Sequence, residues 1–416
     1  MNKAYDVVVV GGGPAGGQCA RELSQKGIKV LLVERYKSFE ENNFSSAGMT
    51  LDPLTEFNLP ESVVGSYWKN FVIQCTKDEY RWDAQENKGA VLDFGKLRQF
   101  LADESVKFGG EVLMGCRYVK KTVFKDKVVA TFKHTESGED LEIEAKLLVD
   151  GTGPLRKVMF DSKDEQPKMV FGSGIEYLIE VPQQVYDKYK ETLVFFLGDK
   201  WANRGYSWIF PMENRILKVG SGKVHIEAKD EEKTNKTTKL LTEKIIAEYL
   251  DLNESDYRIV DVHGGTLKYS PSIKDTFYKD RVIAVGDAVS TVNPLGGEGI
   301  RYALRCASYA VPYIEDFVKN GDADFEQYRK KWRKSHLLKW QISELSSRRI
   351  YGIYTDAQIE NRMKYYHQVT KLDGVIDALF NFKFNKLLIR VFQVYQLKIK
   401  DKLGLLDKEK RKFKMK

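Results

Sequence analysis

The sequence predicts an α/β protein: a Rossmann-like nucleotide-binding domain around a parallel sheet, an inserted and mainly antiparallel β domain, and a helical C-terminal extension. Residues 5–34 read as strand, glycine turn, helix and strand, and residues 280–310 return to strand, turn and helix. Between them, from Val170 to Val224, strand patterns dominate.

The first stretch carries the most information. Val7 to Val10 form a β-branched run of the kind buried on both faces of a parallel sheet. Gly11, Gly13 and Gly16 then match the G-x-G-x-x-G spacing, in which the glycines allow a tight turn, approach of a pyrophosphate and close helix packing. Pro14 and Ala15 open the helix, where a missing N–H costs nothing and the free N–H groups face the phosphates. The second strand ends at Glu34, about 20 residues past the loop, where a carboxylate accepts both hydroxyls of an adenosine ribose. An acid at this position argues against a ribose 2′-phosphate, which leaves FAD or NAD; Arg35 beside it joins the candidate cofactor residues.

Residues 35–60 are polar and turn-rich, a long loop with a short helix. Lys69 to Trp82 alternates like paired strands, and Phe94, Leu97, Leu101 and Val106 mark an amphipathic helix over Asp93–Gly109. Three short strands follow over Glu111–Ala145, then a buried strand ending in Asp150-Gly151, a glycine turn and Arg156. The charged run 227–239 reads as a hinge into a helix over Leu240–Leu250, with separate strands at Tyr257–Val262 and Thr266–Tyr269. Val282–Val285 is a buried strand, Gly286-Asp287 a turn at its end, and Gly296-Gly297-Glu298-Gly299 the opening of a long helix. After Asp324 the chain is expected to be helical. The expected boundaries are 1–70, 90–160 and 265–325 for the nucleotide domain, 71–89 and 161–264 for the inserted substrate domain, and 326–416 for the basic C-terminal region.

Composition narrows the class. With 42% hydrophobic and 30% charged residues the chain reads as globular. No run of 18 apolar residues occurs, and a strand that begins by Tyr5 is expected to leave no room for a signal peptide. Cys19, Cys75, Cys116 and Cys306 lack CxxC spacing and the chain has five histidines, so neither a disulfide framework nor a metal site is expected; the reading is a reducing cytoplasm. The net charge of +8 is local: from Lys383 to Lys416 twelve basic residues face Asp401, Asp407 and Glu409, a balance of +9 that leaves the body at −1. In that tail Phe384, Leu387, Leu388, Val391 and Tyr395 recur at helical spacing among Lys383, Lys386 and Arg390. Two readings stand side by side: a basic helix lying on an anionic membrane surface, or a helix packed on the body with a frayed terminus. Nucleic acid is not an expected partner, since no recognised binding fold accompanies the charge.

Asp287, at the carboxyl end of a parallel strand, can accept a hydrogen bond from a ribityl hydroxyl. The helix that starts at Gly299 and Ile300 would aim its positive end at an isoalloxazine and favour the anionic hydroquinone. GGGPAG with Glu34, VDGTGPLRK at 149–157 and GDAVSTVNPLGGEGIRYAL at 286–304 together resemble the FAD-dependent proteins of para-hydroxybenzoate hydroxylase fold, and among them the geranylgeranyl reductases. Residues 205–222 are similar to that family's substrate-site pattern Y-x-W-x-F-P followed by G-x-G, at Tyr206, Trp208, Phe210, Pro211, Gly220 and Gly222. In a strand Tyr206, Trp208 and Phe210 share one face, an aromatic wall suited to a polyprenyl chain. A core strand with its aromatics turned inward has the same pattern.

The resemblance implies FAD as cofactor, an external electron donor such as NAD(P)H or a ferredoxin-like protein, and reduction of isolated C=C bonds by hydride from flavin N5. The catalytic proton source is not identified: Tyr206 has a suitable hydroxyl, but packing is the commoner use of such a residue. Two departures stand out. The cysteine-glycine motif of archaeal members is replaced by Ser45-Ser46-Ala47-Gly48, and the arginine expected early in the helix after the first meander is Phe94, with Arg98 one turn later. Arg98 is placed at the pyrophosphate or on a solvated helix face. A flavin monooxygenase or halogenase of the same fold is the first rival, although YSWIFP does not satisfy the halogenases' W-x-W-x-I-P element. A non-catalytic flavoprotein that tethers a partner through its tail is the second.

Overall fold

A computed structural model describes residues 4–162, 164–225, 237–383, 393–401 and 403. Five parallel strands form its centre, in the order Val282–Ala284, Asp140–Asp150, Ala4–Val10, Val30–Val33 and Glu111–Leu113. The uniformly apolar runs explain the placement: Val7, Val8, Leu32, Leu147 and Ile283 are all fully buried, so neither face of these strands can be left in water. Cys116–Val123 and Val128–His134 extend the sheet as an antiparallel hairpin on the first half of Asp140–Asp150. Helices Pro14–Gln25 and Ile300–Asn320 pack against each other, with Cys19, Ala307 and Ala310 in the same buried cluster as the central strands.

Register aligns the functional turns. Val10 lies opposite both Val33 and Asp150, and Asp150 lies opposite Ala284. The residues that follow, Gly11, Glu34, Gly151 and Val285, therefore leave the sheet together at its carboxyl edge, where open α/β sheets bind ligands.

A second sheet of seven strands runs Arg258–Tyr269, Val170–Glu180, Ile216–His225, Gly205–Pro211, Thr192–Phe196, Asn70–Gln74 and Glu79–Trp82. Only Thr192–Phe196 and Asn70–Gln74 pair in parallel. Along Gly205–Pro211 the pleat separates the side chains: Tyr206, Trp208 and Phe210 join one aromatic cluster, while Ile209 joins Ile245 and Ile246 on the other face. Where two strands were expected between Tyr257 and Tyr269, there is one continuous strand. Gly264 and Gly265 stay in the ladder opposite Ile175 and Gly174; a Cβ on Gly265 would lie 2.4 Å from the Phe44 ring, so the glycine admits a loop instead of ending the strand.

The C-terminal region is helical over Phe325–Ser347, Asp356–Val369 and Leu372–Leu379. Asp324 and Thr355 cap the first two by accepting the N–H of Gln327 and Gln358. Of the tail residues singled out above, Phe384, Lys386, Leu387, Leu388, Arg390 and Val391 lie outside the described residues, as does most of the charged hinge. Residues 393–401 are helical, with Tyr395 exposed and the Tyr365 hydroxyl bonded to Asp401. Among the described residues no helix is long and apolar enough to cross a membrane, and no group of His, Cys, Asp and Glu could hold a metal ion.

Candidate active site

At the sheet's carboxyl edge the backbone itself is the structural material. Gly11 has φ +102°, and a Cβ on it would lie 2.5 Å from Gly151 O; a Cβ on Gly16 would lie 1.9 Å from Gly11 O. Strand, helix and the 150–153 turn can meet at this distance only without side chains. Gly13 caps helix Pro14–Gln25 with no side-chain bond, and a Cβ there would meet nothing within 4 Å. Its surroundings are open ground beside free N–H donors, which is what a pyrophosphate needs.

Glu34 is buried, with Oε2 accepting the Gly12 N–H at 2.7 Å and Oε1 the Tyr36 N–H at 3.1 Å. It therefore braces the glycine loop that it faces. Gly286 has φ +65°, and a Cβ there would lie 2.5 Å from the Ala15 Cβ, so the second motif is pressed against the first. Asp287 follows, with Oδ1 accepting the Thr291 hydroxyl at 2.8 Å; burial raises its carboxyl pKa although Thr291 and Arg156 oppose the shift.

The middle motif is folded by its own polar groups. Asp150 is fully buried and accepts four bonds, from Thr152 N and Oγ1 and from Val158 N and Met159 N. Arg156 is also fully buried and reaches Asp275 at 3.0 Å and the Ser290 Oγ at 3.0 Å, joining this turn to the residues just after Asp287.

Two expected cofactor residues have protein partners of their own. Arg98 is not a solvated helix charge: it is 4% exposed, donates to Phe39 O and to Glu41 O at 2.9 Å, and lies over the Phe39 and Phe94 rings. It holds the loop whose Phe39 ring would be 2.7 Å from a Cβ on Gly12. Arg35 is exposed and donates to the Tyr36 hydroxyl at 2.6 Å.

A cavity of about 40 Å³ borders this edge. Phe195, Tyr206, Phe210 and Phe380 form its aromatic side, Ser45–Gly48 a second side, and Gly296–Ile300 a third. Phe195 ties the wall together, with its ring 5.5 Å from Tyr206 and 5.2 Å from Phe210. The Tyr206 hydroxyl donates to Gly296 O at 2.9 Å, and burial drives its pKa upward. Tyr206 thereby fastens the wall to the glycine loop.

Trp208 does not line the cavity. Its Nε1 donates to the buried Glu176 at 2.7 Å, and its ring fills the space over Gly220, where a Cβ would lie 2.3 Å away. Gly222 sits under the same ring, 3.5 Å from it by the same measure. Both glycines make room for Trp208. Behind it, His263 bridges Glu176 at 3.3 Å and Asp261 at 2.9 Å.

Four participants were not singled out from sequence: Glu298, Arg301, Phe195 and Phe380. Glu298 and Arg301 form a buried ion pair of 2.9 Å at the start of helix Ile300–Asn320. A lone acid between glycines was their available signal. Phe380 had none, since it arrives from 80 residues further along the chain and is held by its carbonyl to Arg301 and Tyr302.

The residues present fit an adenine dinucleotide. Helices Pro14–Gln25 and Ile300–Asn320 are each N-capped by a glycine with no side-chain bond, so both leave their positive ends to a ligand. Comparison with known proteins agrees. The FAD binding domain family model matches residues 4–334. A digeranylgeranylglycerophospholipid reductase of Haloferax volcanii is 30% identical over 339 residues, 78% of this chain and 79% of that one. Another of that name from Methanothrix thermoacetophila is 27% identical over 348 residues, 79% and 83% of the two chains. Among solved structures, a geranylgeranyl bacteriochlorophyll reductase-like protein of Thermoplasma acidophilum superposes with a TM-score of 0.79 at 19% identity, covering 95% of this chain and 99% of that one. The p-nitrophenol 4-monooxygenase of Pseudomonas putida shares the fold with a TM-score of 0.70 at 15% identity, with the same coverage. Motifs, geometry and relatives converge: the chain belongs to the FAD-binding domain family and is an FAD-dependent oxidoreductase of the geranylgeranyl reductase type.

Proposed function

We propose that the protein reduces isolated C=C bonds in the geranylgeranyl or related polyprenyl chains of a lipid, quinone or pigment tail. The observation that carries this reading is the aromatic cavity of Phe195, Tyr206, Phe210 and Phe380 set directly against the Gly296–Ile300 loop. An isolated alkene offers methyl groups and a π-cloud, so it is held by apolar rings and not by hydrogen bonds. Gly11, Gly13, Pro14, Ala15 and Gly16 would take the FAD pyrophosphate, Glu34 the ribose, Asp287 the ribityl chain, and Gly299 and Ile300 the pyrimidine edge of the ring. Reduced FAD bound there supplies a hydride. The protein's part is to exclude water and hold the alkene in line, because an isolated double bond accepts hydride poorly.

At about 40 Å³ the cavity has room for only a few waters, so the wall must part to admit a chain. An external electron donor, NAD(P)H or a ferredoxin-like protein that delivers two electrons in successive encounters, would complete the cycle. We place the protein in the cytoplasm, working at a membrane surface where such lipids are dissolved; the exposed Tyr395, Ile399 and Leu403 beside the basic tail support that approach. The test is to reduce the holoenzyme without oxygen and mix it with geranylgeranyl diphosphate or a digeranylgeranyl glycerophospholipid. Reoxidation with a saturated product is expected. A monooxygenase of the same fold would leave the flavin reduced until O₂ enters.

A further inference from the structure

Reduction of an alkene needs a proton as well as a hydride, and the cavity restricts where that proton can come from. Among the described residues that line it, only Tyr206 and Glu298 carry groups with pKa values below that of a serine hydroxyl. Tyr206 is committed, since its hydroxyl already donates to Gly296 O and its pKa is driven up by burial. Glu298 is not. Its side chain is 4% exposed, Oε2 accepts from Arg301 at 2.9 Å, and Oε1 is a buried oxygen with no hydrogen-bond partner. A buried carboxylate oxygen left unpaired is costly; a protonated one is far less so.

The surroundings favour that protonated form without locking it. Burial raises the Glu298 carboxyl pKa to about 7, Arg301 opposes, Asp52 adds to the rise, and Arg305 lowers it. Tyr302 is the other titratable group coupled to it, and its own pKa is pushed far up. Arg301 is fixed from several sides, by the Thr50 Oγ1 at 3.2 Å, the Asn381 Oδ1 at 3.0 Å and the Phe380 carbonyl. It cannot follow Glu298 into the cavity, but it can receive the carboxylate afterwards.

We propose that Glu298 is the general acid of this enzyme, delivering its proton to one carbon of the substrate alkene as the hydride arrives at the other. The proposal rests on the polyprenyl reading above. In the step the C=C π-bond, the Glu298 O–H bond and the N5–H bond of the reduced flavin would break and two C–H bonds would form. The hydride brings both electrons from the reduced flavin, and the Glu298 carboxylate is left paired to Arg301. Solvent protonates it again when the product leaves. Arg301 acts as a positioning residue. A general acid with a pKa near the working pH is the efficient case, and such groups contribute about 10²- to 10⁴-fold.

The experiment uses reduced, oxygen-free holoenzyme mixed with geranylgeranyl diphosphate in a stopped-flow cell between pH 5.5 and 9. Wild type should reoxidise in a single turnover that slows as pH rises past about 7, with a normal solvent deuterium isotope effect. Glu298→Gln should still purify with FAD bound, read from its absorbance spectrum. Its reoxidation by the alkene should fall about 100-fold or more, with the pH dependence gone. Glu298→Asp should recover part of the rate. Infrared difference spectra of the protein without substrate give a second readout: a protonated-carboxyl band that titrates near neutral pH in wild type and is missing in Glu298→Gln. A Glu298→Gln rate within threefold of wild type, an unchanged pH profile, or no such band overturns the proposal. Wild type that ignores every polyprenyl acceptor overturns the substrate reading instead, and the infrared band still decides the state of Glu298.

Discussion

The two halves of the candidate site are built from different material. At the sheet edge, Gly11, Gly16 and Gly151 bring backbone against backbone and Gly286 is pressed on the Ala15 side chain, and each of these glycines sits in a short motif. The aromatic cavity is assembled from side chains of three separate segments, Phe195 on one strand, Tyr206 and Phe210 on the next, and Phe380 at the end of a C-terminal helix, with Ser45–Gly48 closing it. The first construction tolerates no added carbon. The second can repack, because aromatic side chains reorient where a peptide plane cannot.

The largest effect should therefore come from the glycine edge. Gly16→Val places its Cβ where an atom would be 1.9 Å from Gly11 O, and the strand-to-helix turn must open. The purified variant is expected to carry no FAD, read from its absorbance spectrum, and to show a circular dichroism spectrum with reduced helix signal. A variant that keeps stoichiometric flavin would break the contrast at its root.

Next is Arg156→Ala, which tests whether the edge depends on more than its glycines. It leaves Asp275 buried and without its cation; that carboxyl pKa is already raised by burial with Arg156 opposing. Breaking a buried pair from one side costs about 3–5 kcal/mol. Urea unfolding should show a loss of that size, and Arg156→Lys should recover only part because a single ammonium cannot reach Asp275, Ser290 and Pro154 O together.

Phe380→Ala probes the other half. Removing a buried phenylalanine costs about 3 kcal/mol. Its carbonyl bonds to Arg301 and Tyr302 do not depend on the ring, so the segment stays in place and the cavity widens. Flavin content should match wild type while KM for the polyprenyl chain changes severalfold. Loss of flavin would show that the two halves are one unit.

These differences follow the line along which the sequence was legible. Glu34, Gly286 and the Val7–Val10 strand announced themselves because phosphate binding and parallel pairing impose short, ordered spacings. The shared face of Tyr206, Trp208 and Phe210 was legible from the period of a strand, but what each ring does was not. Trp208 turned to Glu176, a residue 32 positions away and two strands across the sheet, reached over Gly220 on the strand between them, and a strand's period says nothing of polar groups that far across. Of the two places open to Arg98, the solvated helix face is ruled out by its burial, and the carbonyls it satisfies belong to a loop without pattern. Phe380 and Glu298 meet at the cavity only through tertiary contact.

The smallest effect concerns that hidden polar layer, and its sign separates the wall from the helical region. Burial works against the charge on His263, but Glu176 and Asp261 outweigh it, so the imidazole pKa stands above its ordinary value. A raised folded pKa means stability fully present below the unfolded value of about 6.5 and lost as pH rises through the folded one. His336, enclosed by Trp332, Trp340 and Tyr302, has the opposite shift: burial lowers its pKa to about 3. Its stability is present above about 6.5 and drains away as pH falls toward 3. Urea midpoints measured from pH 4 to 9 should thus respond in opposite senses. His263→Gln should flatten the alkaline decline, and His336→Gln the acid one. If both variants altered the same limb, the ion pair behind Trp208 would not be charged at neutral pH, and the wall would rest on packing alone.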